Sequence, residues 1–193
     1  MNELVTATLA TASLLAAGAA CDPGPASGKG PGTQPAGGAM VLQSTAFQDG
    51  GAIPSRHTCD GPDVSPPLQW SGVPPGAKSL VLIVDDPDAP DPAAPRMDWV
   101  HWVVYGLPPT STGLPEGGTP LPEGARTGTN DFGKKAWGGP CPPIGRHRYF
   151  FRLHALDKVL PDLGTATRAA VEDAMKGHVL ATAQCMGTYA RSL

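Results

Sequence analysis

The sequence predicts an all-β domain, an antiparallel β-sandwich with one or two short helices. Three runs, 79–84, 100–107 and 147–156, have the length and the β-branched or aromatic content of strands. Gly and Pro are abundant in this chain of 193 residues, with 25 and 23 copies, and many of them separate the apolar runs as turns. Only the segment 168–176 has the apolar spacing of a convincing helix. Several strands followed by one late helix are typical of a β-sandwich.

The strand-like runs differ in the environment that they predict. The run at 79–84, Ser-Leu-Val-Leu-Ile-Val, is apolar almost throughout, so we expect a central strand buried on both faces. In the run at 147–156, alternation places Tyr149 and Phe151 on one face and Arg152 on the other. Shorter strand segments are expected at 41–47, 68–70 and 183–189.

The helix at 168–176 has signals at both ends. Either Thr165 or Thr167 is placed to cap its N-terminus with a side-chain hydroxyl. Gly177 follows the last apolar residues and predicts the end of the helix. We therefore expect one short helix that packs on the sheet.

The first twenty residues predict an export signal. Residues 4–20 carry no charge and are rich in Ala, Leu and Thr, but the run is shorter than the roughly 20 apolar residues that span a membrane. Small residues directly before Cys21 are similar to the processing site of bacterial lipoproteins, in which the cysteine receives lipid. The alternative is an ordinary cleaved signal in which Cys21 has no special role. Residues 1–3 lack the positive charge that signal peptides usually have there.

Residues 21–39 predict a flexible tether. From Asp22 to Ala39 the chain is rich in Gly and Pro and has no aromatic or large aliphatic side chain, so it cannot bury a core. We therefore expect a signal peptide at 1–20, the tether at 21–39 and a folded domain at 40–193. This layout predicts an exported protein of the bacterial cell envelope, held at a membrane by an N-terminal lipid or released as a soluble protein.

The net charge and the spacing of the cysteines and histidines argue against nucleic acid and against a metal or cofactor as partners. The formal net charge is −3, which gives no basic footprint for nucleic acid. The cysteines and histidines show no Cys-x-x-Cys or His-x-x-x-His spacing, so the sequence predicts neither a cofactor nor a metal site.

Three carboxylates follow the first apolar run directly. Asp85, Asp86 and Asp88 stand in Asp-Asp-Pro-Asp-Ala-Pro at 85–90, and we expect them to emerge at the end of a buried strand, where loops gather. One interpretation is an Asp-Pro turn in which aspartate bonds its own backbone. The other is that at least one carboxylate lies near the interior, where it needs a partner.

Two histidines are the candidate partners of these carboxylates. His101 stands near the start of the second run; it can face the acidic segment if the two strands pair, or it can be structural. His147 begins the third run and shares a strand face with Tyr149. A nearby carboxylate orients an imidazole and favours its charged form. Together with the backbone amides of Gly138 and Gly139, these side chains predict a site for a phosphate or carboxylate ligand.

Five motifs stand in order along residues 40–191. They are Ser-Pro-Pro-Leu-Gln-Trp at 65–70, the acidic segment 85–90, Val-His-Trp-Val-Val-Tyr at 100–105, the segment 138–149 and Gly-His-Val-Leu-Ala at 177–181. In this order they resemble the phosphatidylethanolamine-binding protein family, most closely its bacterial Raf-kinase-inhibitor-like branch. The resemblance implies a Greek-key β-sandwich with a small cavity that binds phosphate-bearing head groups and similar anions.

The resemblance also implies which residues form the cavity. By position, they are Asp86, His101, Gly139, His147 and Tyr149, with Pro90 and Trp99 at the edge. A tyrosine that some family members place before the Trp-x-His segment is Arg96 here. This arginine either adds a charged contact to the ligand or points to solvent.

The cysteines form a second set of candidates. Cys59 and Cys141 lie in loops that flank the proposed cavity, and in an exported protein they either form a disulfide bond or stay unpaired. A bond would pin the cavity loop and stabilise the domain by about 2–4 kcal/mol. Cys185 lies in an apolar C-terminal segment, where we expect a buried thiol.

Three function classes remain. The first is a non-catalytic protein that binds a small anionic or phosphate-bearing ligand. The second is a hydrolase that uses the Asp-His grouping with Ser65 or Ser71 as the nucleophile, although the chain has no Gly-x-Ser-x-Gly motif. The third follows from the resemblance, because some family members are described as protease inhibitors or kinase regulators; it implies a protein partner of unknown identity.

Overall fold

The computed structural model describes residues 38–191. The signal peptide expected at 1–20, Cys21 and the tether up to residue 37 lie outside the described residues, so these stay predictions. Within 38–191, no helix is both long enough and apolar enough to cross a membrane. This part of the chain contains a 3₁₀ turn at Ser55–His57, the α-helix α1 (Arg168–Met175) and the strands β1 (Val41–Ser44), β2 (Leu68–Ser71), β3 (Ser79–Ala89), β4 (Met97–Leu107), β5 (Gly113–Leu114), β6 (Arg126–Thr127), β7 (His147–Leu156) and β8 (Val179–Tyr189).

The strands form two antiparallel sheets. The smaller sheet has the order β1-β2-β5, and the larger has the order β6-β4-β3-β7-β8. Strand β3 pairs with β4 on one side and with β7 on the other, so it lies at the centre of the larger sheet. The predicted antiparallel, mostly β fold is confirmed, and α1 is the predicted late helix.

Strand β3 is buried on both faces, as its continuous apolar run predicts. Leu80 and Leu82 share a core with Trp70 of the smaller sheet, so this core fills the space between the sheets. Val81 and Ile83 point the opposite way and share a second core with residues of α1. The helix therefore covers the outer face of the larger sheet, while the smaller sheet covers the inner one.

Helix α1 begins and ends close to the predicted residues. The Thr167 hydroxyl accepts a hydrogen bond from the amide of Ala170 at 3.3 Å, which makes Thr167 the cap among the two alternatives. The helix ends at Met175, and Gly177 adopts a φ of 76°, a left-handed conformation that glycine adopts readily. Strand β8 then begins at Val179 rather than at residue 183.

The acidic segment lies within a strand rather than after its end. Strand β3 continues to Ala89, so the prediction that the carboxylates emerge at a strand end is wrong. Asp85 is paired with Val100 on β4 and with Phe150 on β7, and these two ladders hold the backbone extended. The pairing with β4 shifts register on both sides of the Asp85–Asp86 step. Such irregularities re-aim neighbouring side chains, so the three carboxylates reach different partners.

Candidate functional site

The three carboxylates on β3 contact different partners. Asp85 bonds to Arg152 and, at 3.2 Å, to Arg168 on the side of α1. Asp88 accepts two hydrogen bonds from the Arg148 guanidinium, at 2.9 and 2.7 Å, and this contact lowers the pKa of Asp88. Arginines rather than histidines are therefore the charge partners of these two aspartates.

Asp86 is the carboxylate that meets an imidazole. Its Oδ2 lies 2.7 Å from Nδ1 of His147, and both side chains are almost fully buried, at 5% and 1% exposure. Its Oδ1 accepts the amide of Asp88 at 2.8 Å, the local turn-like bond that the sequence left as an alternative. Burial raises the pKa of Asp86, and the hydrogen bond to His147 opposes that effect. Both interpretations of the acidic segment thus hold, on different oxygens of one side chain.

The His147 ring is held on both of its edges. Nε2 lies 3.0 Å from the carbonyl oxygen of Ile144, while Nδ1 faces the Asp86 carboxyl group. A carbonyl oxygen can only accept, so Nε2 carries a proton. A second proton lies between Nδ1 and Asp86, which together form either an imidazolium with a carboxylate or a neutral ring with a protonated carboxyl group.

His101 is fixed by the segment 138–143, which we name the strap. Its Nδ1 lies 2.5 Å from the carbonyl oxygen of Gly138, and its Nε2 is buried without a hydrogen-bond partner among the described residues. Burial lowers the pKa of His101 to about 4, so the ring is neutral at physiological pH. His101 therefore presents an unsatisfied acceptor.

Tyr149 lies against both histidine rings. Its ring centre is 5.1 Å from that of His101, in edge contact, and 6.4 Å from that of His147. The side chain is fully buried, and its hydroxyl has no hydrogen-bond partner in the described part of the chain. Burial raises the pKa of Tyr149, helped by the nearby acidic groups, so the hydroxyl keeps its proton. Tyr149 lies behind the two histidines and is not itself on the cavity wall.

The histidines open onto a cavity of about 310 Å³. Of the residues expected at this site, Asp86, Pro90, Trp99, His101 and His147 lie on its wall. The polar groups are concentrated at these two histidines and the carboxylate, and the rest of the wall is mainly apolar. The further lining residues are Ala89, Met97, Phe132, Cys141, Pro142 and Pro143.

The glycines of the strap do not serve the role that their lack of side chains suggests. The Gly138 amide donates to the carbonyl oxygen of His101 at 3.1 Å, and the Gly139 amide donates to Asp63 Oδ1 at 2.8 Å. Neither amide is available to an anion, which corrects the prediction for both residues. Glycine is required here for close packing instead, because a Cβ atom on Gly139 would collide with Asp63 and with the backbone of His57.

A disulfide bond ties the strap to the opposite loop. Cys59 and Cys141 are bonded, and the Cys59 amide also donates to the carbonyl oxygen of Pro140 at 3.1 Å. The sequence left this pairing open, and the structure contains it. Cys185 is a buried free thiol, as expected, and burial raises its pKa to about 11.

Two lining residues that lie outside the sequence motifs, and one residue that anchors a loop, were not predicted from the sequence. Met97 and Phe132 form part of the cavity wall and are 48% and 40% exposed. Asn130 holds the loop that carries Phe132, since its amide nitrogen donates to the carbonyl oxygens of His101 and Ala136 at 3.2 and 2.9 Å. The Asn-Asp-Phe-Gly sequence at 130–133 signals a turn, but nothing in it predicts contact with a strand distant in sequence.

Other candidates lie away from the cavity. Arg96 is exposed, and among the described residues its side chain makes no hydrogen bond, which agrees with the solvent alternative. Ser65 and Ser71 are not on the cavity wall. Among residues 38–191, no group of three His, Cys, Asp or Glu side chains could hold a metal ion.

Comparison with known proteins agrees with the fold and the motif order. The family described as phosphatidylethanolamine-binding protein matches residues 43–190. A UPF0098 protein of Methanothermobacter thermautotrophicus is 53% identical over 155 residues, which cover 79% of this chain and 99% of the relative. A UPF0098 protein of Chlamydia pneumoniae is 46% identical over 153 residues, which cover 79% of this chain and all of the relative.

Solved structures give the same result. A phosphatidylethanolamine-binding protein homologue from Chlamydia trachomatis has 45% identity and a TM-score of 0.74, over 80% of this chain and 99% of that chain. Escherichia coli YbcL, described as a member of the mammalian family of this name, has 35% identity and a TM-score of 0.72, over 80% of this chain and all of that chain. Since sequence and fold agree over nearly the whole described domain, the chain belongs to the phosphatidylethanolamine-binding protein family.

Proposed function

We propose that this protein binds a small oxyanion, such as the phosphate of a head group or a carboxylate, in the cavity between β3, β4 and the strap. The observation that carries the proposal is a buried polar atom without a partner among the described residues, His101 Nε2, on a cavity wall that also holds the Asp86–His147 pair. Buried polar atoms without partners are rare and costly in folded proteins. A bound polar ligand would satisfy His101 Nε2.

The apolar wall supports a ligand with a nonpolar part. Met97 and Phe132 combine large exposure with a place on the wall, and Pro90, Pro142 and Pro143 extend the same apolar surface. Ligand pockets commonly pair such walls with a few polar groups that orient the ligand. A head group that carries an apolar substituent therefore suits the cavity better than a fully polar molecule.

A binding role is favoured over nucleophilic hydrolysis. Among the described residues of the cavity wall there is no serine or threonine, and the cysteine present, Cys141, is bonded to Cys59. The Ser65 hydroxyl is buried, but away from this wall. Labelling with activity-based probes for serine and cysteine hydrolases tests this point. Labelling that disappears in Ser65→Ala or in His101→Ala would favour the enzyme.

Isothermal titration with phosphoethanolamine, inorganic phosphate and acetate tests the binding proposal. We expect measurable heat with at least one of these ligands and a loss of at least tenfold in affinity in His147→Ala. His154→Ala is the matched control, because His154 is on the same strand but on the opposite face, where it bonds to Thr182 at 3.0 Å. A folded protein that gives no heat with any of the three ligands would contradict the proposal, as would equal binding by His147→Ala.

We extend the proposal to the cell envelope. Export and lipidation at Cys21 would hold the domain near a membrane through the tether at 21–39. Detergent-phase partitioning of the intact and the Cys21→Ser proteins tests this, with mass measurement of the mature N-terminus. An unlipidated mature N-terminus would favour the ordinary secretion signal. The protein-inhibitor alternative stays a prediction, to be tested by pull-down from envelope extract.

A further inference from the structure

His101 offers the cavity an acceptor rather than a donor. Its Nδ1 lies 2.5 Å from the carbonyl oxygen of Gly138, which can only accept, so the proton of the neutral ring is on Nδ1. The other ring nitrogen, Nε2, then carries a lone pair, and it is buried with no partner in the described part of the chain. Because His101 lines the cavity, a ligand that satisfies Nε2 must bring a hydrogen-bond donor.

The donors that usually receive an anion are engaged within the protein. The amides of Gly138 and Gly139 both donate to protein oxygens, and Nε2 of His147 faces the carbonyl oxygen of Ile144 at 3.0 Å. Among the described residues that line the cavity there is no lysine or arginine. A fully deprotonated anion would therefore meet a lone pair and a buried carboxyl group, with few donors to compensate for its desolvation.

We infer that the cavity selects an oxyanion that still carries one proton, such as the monoanion of a phosphate monoester. The inference rests on the proposed function and specifies its ligand. The P–OH group of such a ligand donates to His101 Nε2, the unpartnered acceptor beside the cavity. The Tyr149 ring packs edge-on against the His101 ring from behind the cavity wall, with ring centres 5.1 Å apart, and helps to hold that ring in place.

Several titratable groups of the protein surround the rings of His101 and Tyr149. The pH dependence of the affinity for a single ligand would therefore combine the titration of these groups with that of the ligand. They titrate in the same way for two anions of the same shape and charge. The ratio of two such affinities, measured at a pH where both ligands are monoanions, therefore isolates the proton on the ligand. The groups are Asp86 and Asp88 on β3, His147 and Arg148 on β7, Tyr189 on β8, and Asp63 and Asp131 in the loops beside the strap and β4.

Methyl phosphate and methyl sulfate are the appropriate probes. Both carry a single negative charge at pH 5, but only the phosphate has a hydroxyl proton, which it loses with a pKa of about 6. We expect methyl phosphate to bind at least about tenfold more tightly than methyl sulfate at pH 5, the discrimination typical of a satisfied buried polar group. The ratio of the two affinities should fall to about one hundredth of its pH 5 value at pH 8, as the monoanion disappears.

Two variants locate the selectivity. His101→Phe removes the acceptor, and the ratio at pH 5 should approach one, whereas His154→Ala, on the opposite face of β7, should keep the ratio of the unmodified protein. Equal binding of the two probes at pH 5, or a ratio independent of pH, would overturn the inference while leaving the proposed function intact. Absence of binding by both probes at every pH would overturn the proposed function together with the inference. The measurements on the unmodified protein decide the matter even where a variant fails to fold.

Discussion

Nδ1 of His147 lies 2.7 Å from Oδ2 of Asp86, with both side chains almost fully buried. The backbone ladder between β3 and β7 ends at Asp85 opposite Phe150, so this side-chain pair joins the two strands beyond their last paired residues. Both side chains of this charged or strongly polar pair lie on the cavity wall, each beside its hydrogen-bond partner. Buried ionisable groups are tolerated when they are paired in this way.

Loss of the Asp86 carboxylate should destabilise the fold. Removal of one partner leaves the other buried and unpaired, so Asp86→Ala should lower the free energy of unfolding by about 3–5 kcal/mol. Urea denaturation measures this effect. Glu123→Ala is the control, because Glu123 is exposed and surface substitutions usually change stability by less than about 0.5 kcal/mol. Equal stability of the two variants would show that the Asp86–His147 pair contributes little.

The neutral state of His101 gives stability a defined pH dependence. Burial lowers its pKa to about 4, against about 6.5 for the unfolded chain. Between these values the unfolded chain binds a proton that the folded protein does not, so stability is present above pH 6.5 and is lost as the pH falls toward 4.

Between pH 7 and pH 4, the unmodified protein should therefore lose on the order of 3 kcal/mol more stability than His101→Gln, which cannot titrate. Urea denaturation of both proteins across this range provides the comparison. Parallel pH profiles would mean that burial does not lower the pKa of the His101 ring in the folded protein.

Reduction of the disulfide bond should loosen the cavity wall. Cys59 and Cys141 are 82 residues apart, and a bond across a loop of this size typically stabilises by about 2–4 kcal/mol. The double variant Cys59→Ser/Cys141→Ser should melt at a lower temperature by a corresponding amount. A dithiol reductant should lower the melting temperature of the unmodified protein but leave that of the double variant unchanged. A shift of equal size in both proteins would mean that the reductant acts on something other than this disulfide bond.

Close packing of the strap predicts a strict need for glycine at residue 139. An added Cβ would collide with Asp63 and the neighbouring backbone, so Gly139→Ala should cost about 1–3 kcal/mol, as overpacking usually does. Gly38→Ala is a matched control, since no atom lies within 4 Å of the added Cβ there. Thermal unfolding of both variants tests the prediction. An unchanged melting temperature of Gly139→Ala would show that the strap can shift to accommodate the added Cβ.

The sequence predicted the fold where periodicity determines burial. Strand β7 has the predicted bounds, and its alternation between buried and outward side chains is regular from His147 to Ala155. The end of β3 was missed, since Asp-Asp-Pro-Asp has the composition of a turn, and only pairing with two neighbouring strands keeps it extended.

The candidate site was predictable in its polar residues and less so in its wall. Asp86, His101 and His147 could be identified from their residue types and from the resemblance to a family. Met97 and Phe132 could not, because no local pattern marks either the first residue of β4 or a residue of the loop that Asn130 anchors as part of a cavity wall. The roles of Gly138 and Gly139 were misassigned, since glycine marks an available amide and a close backbone approach equally well.

Side-chain NMR of the five histidines tests ligand binding in the cavity, because each imidazole reports on its own surroundings. On addition of phosphoethanolamine at pH 6, we expect saturable shifts in the signals of His101 and His147 and none in those of His154 and His178. Unchanged signals from His101 and His147, or shifts confined to the other histidines, would contradict the binding proposal.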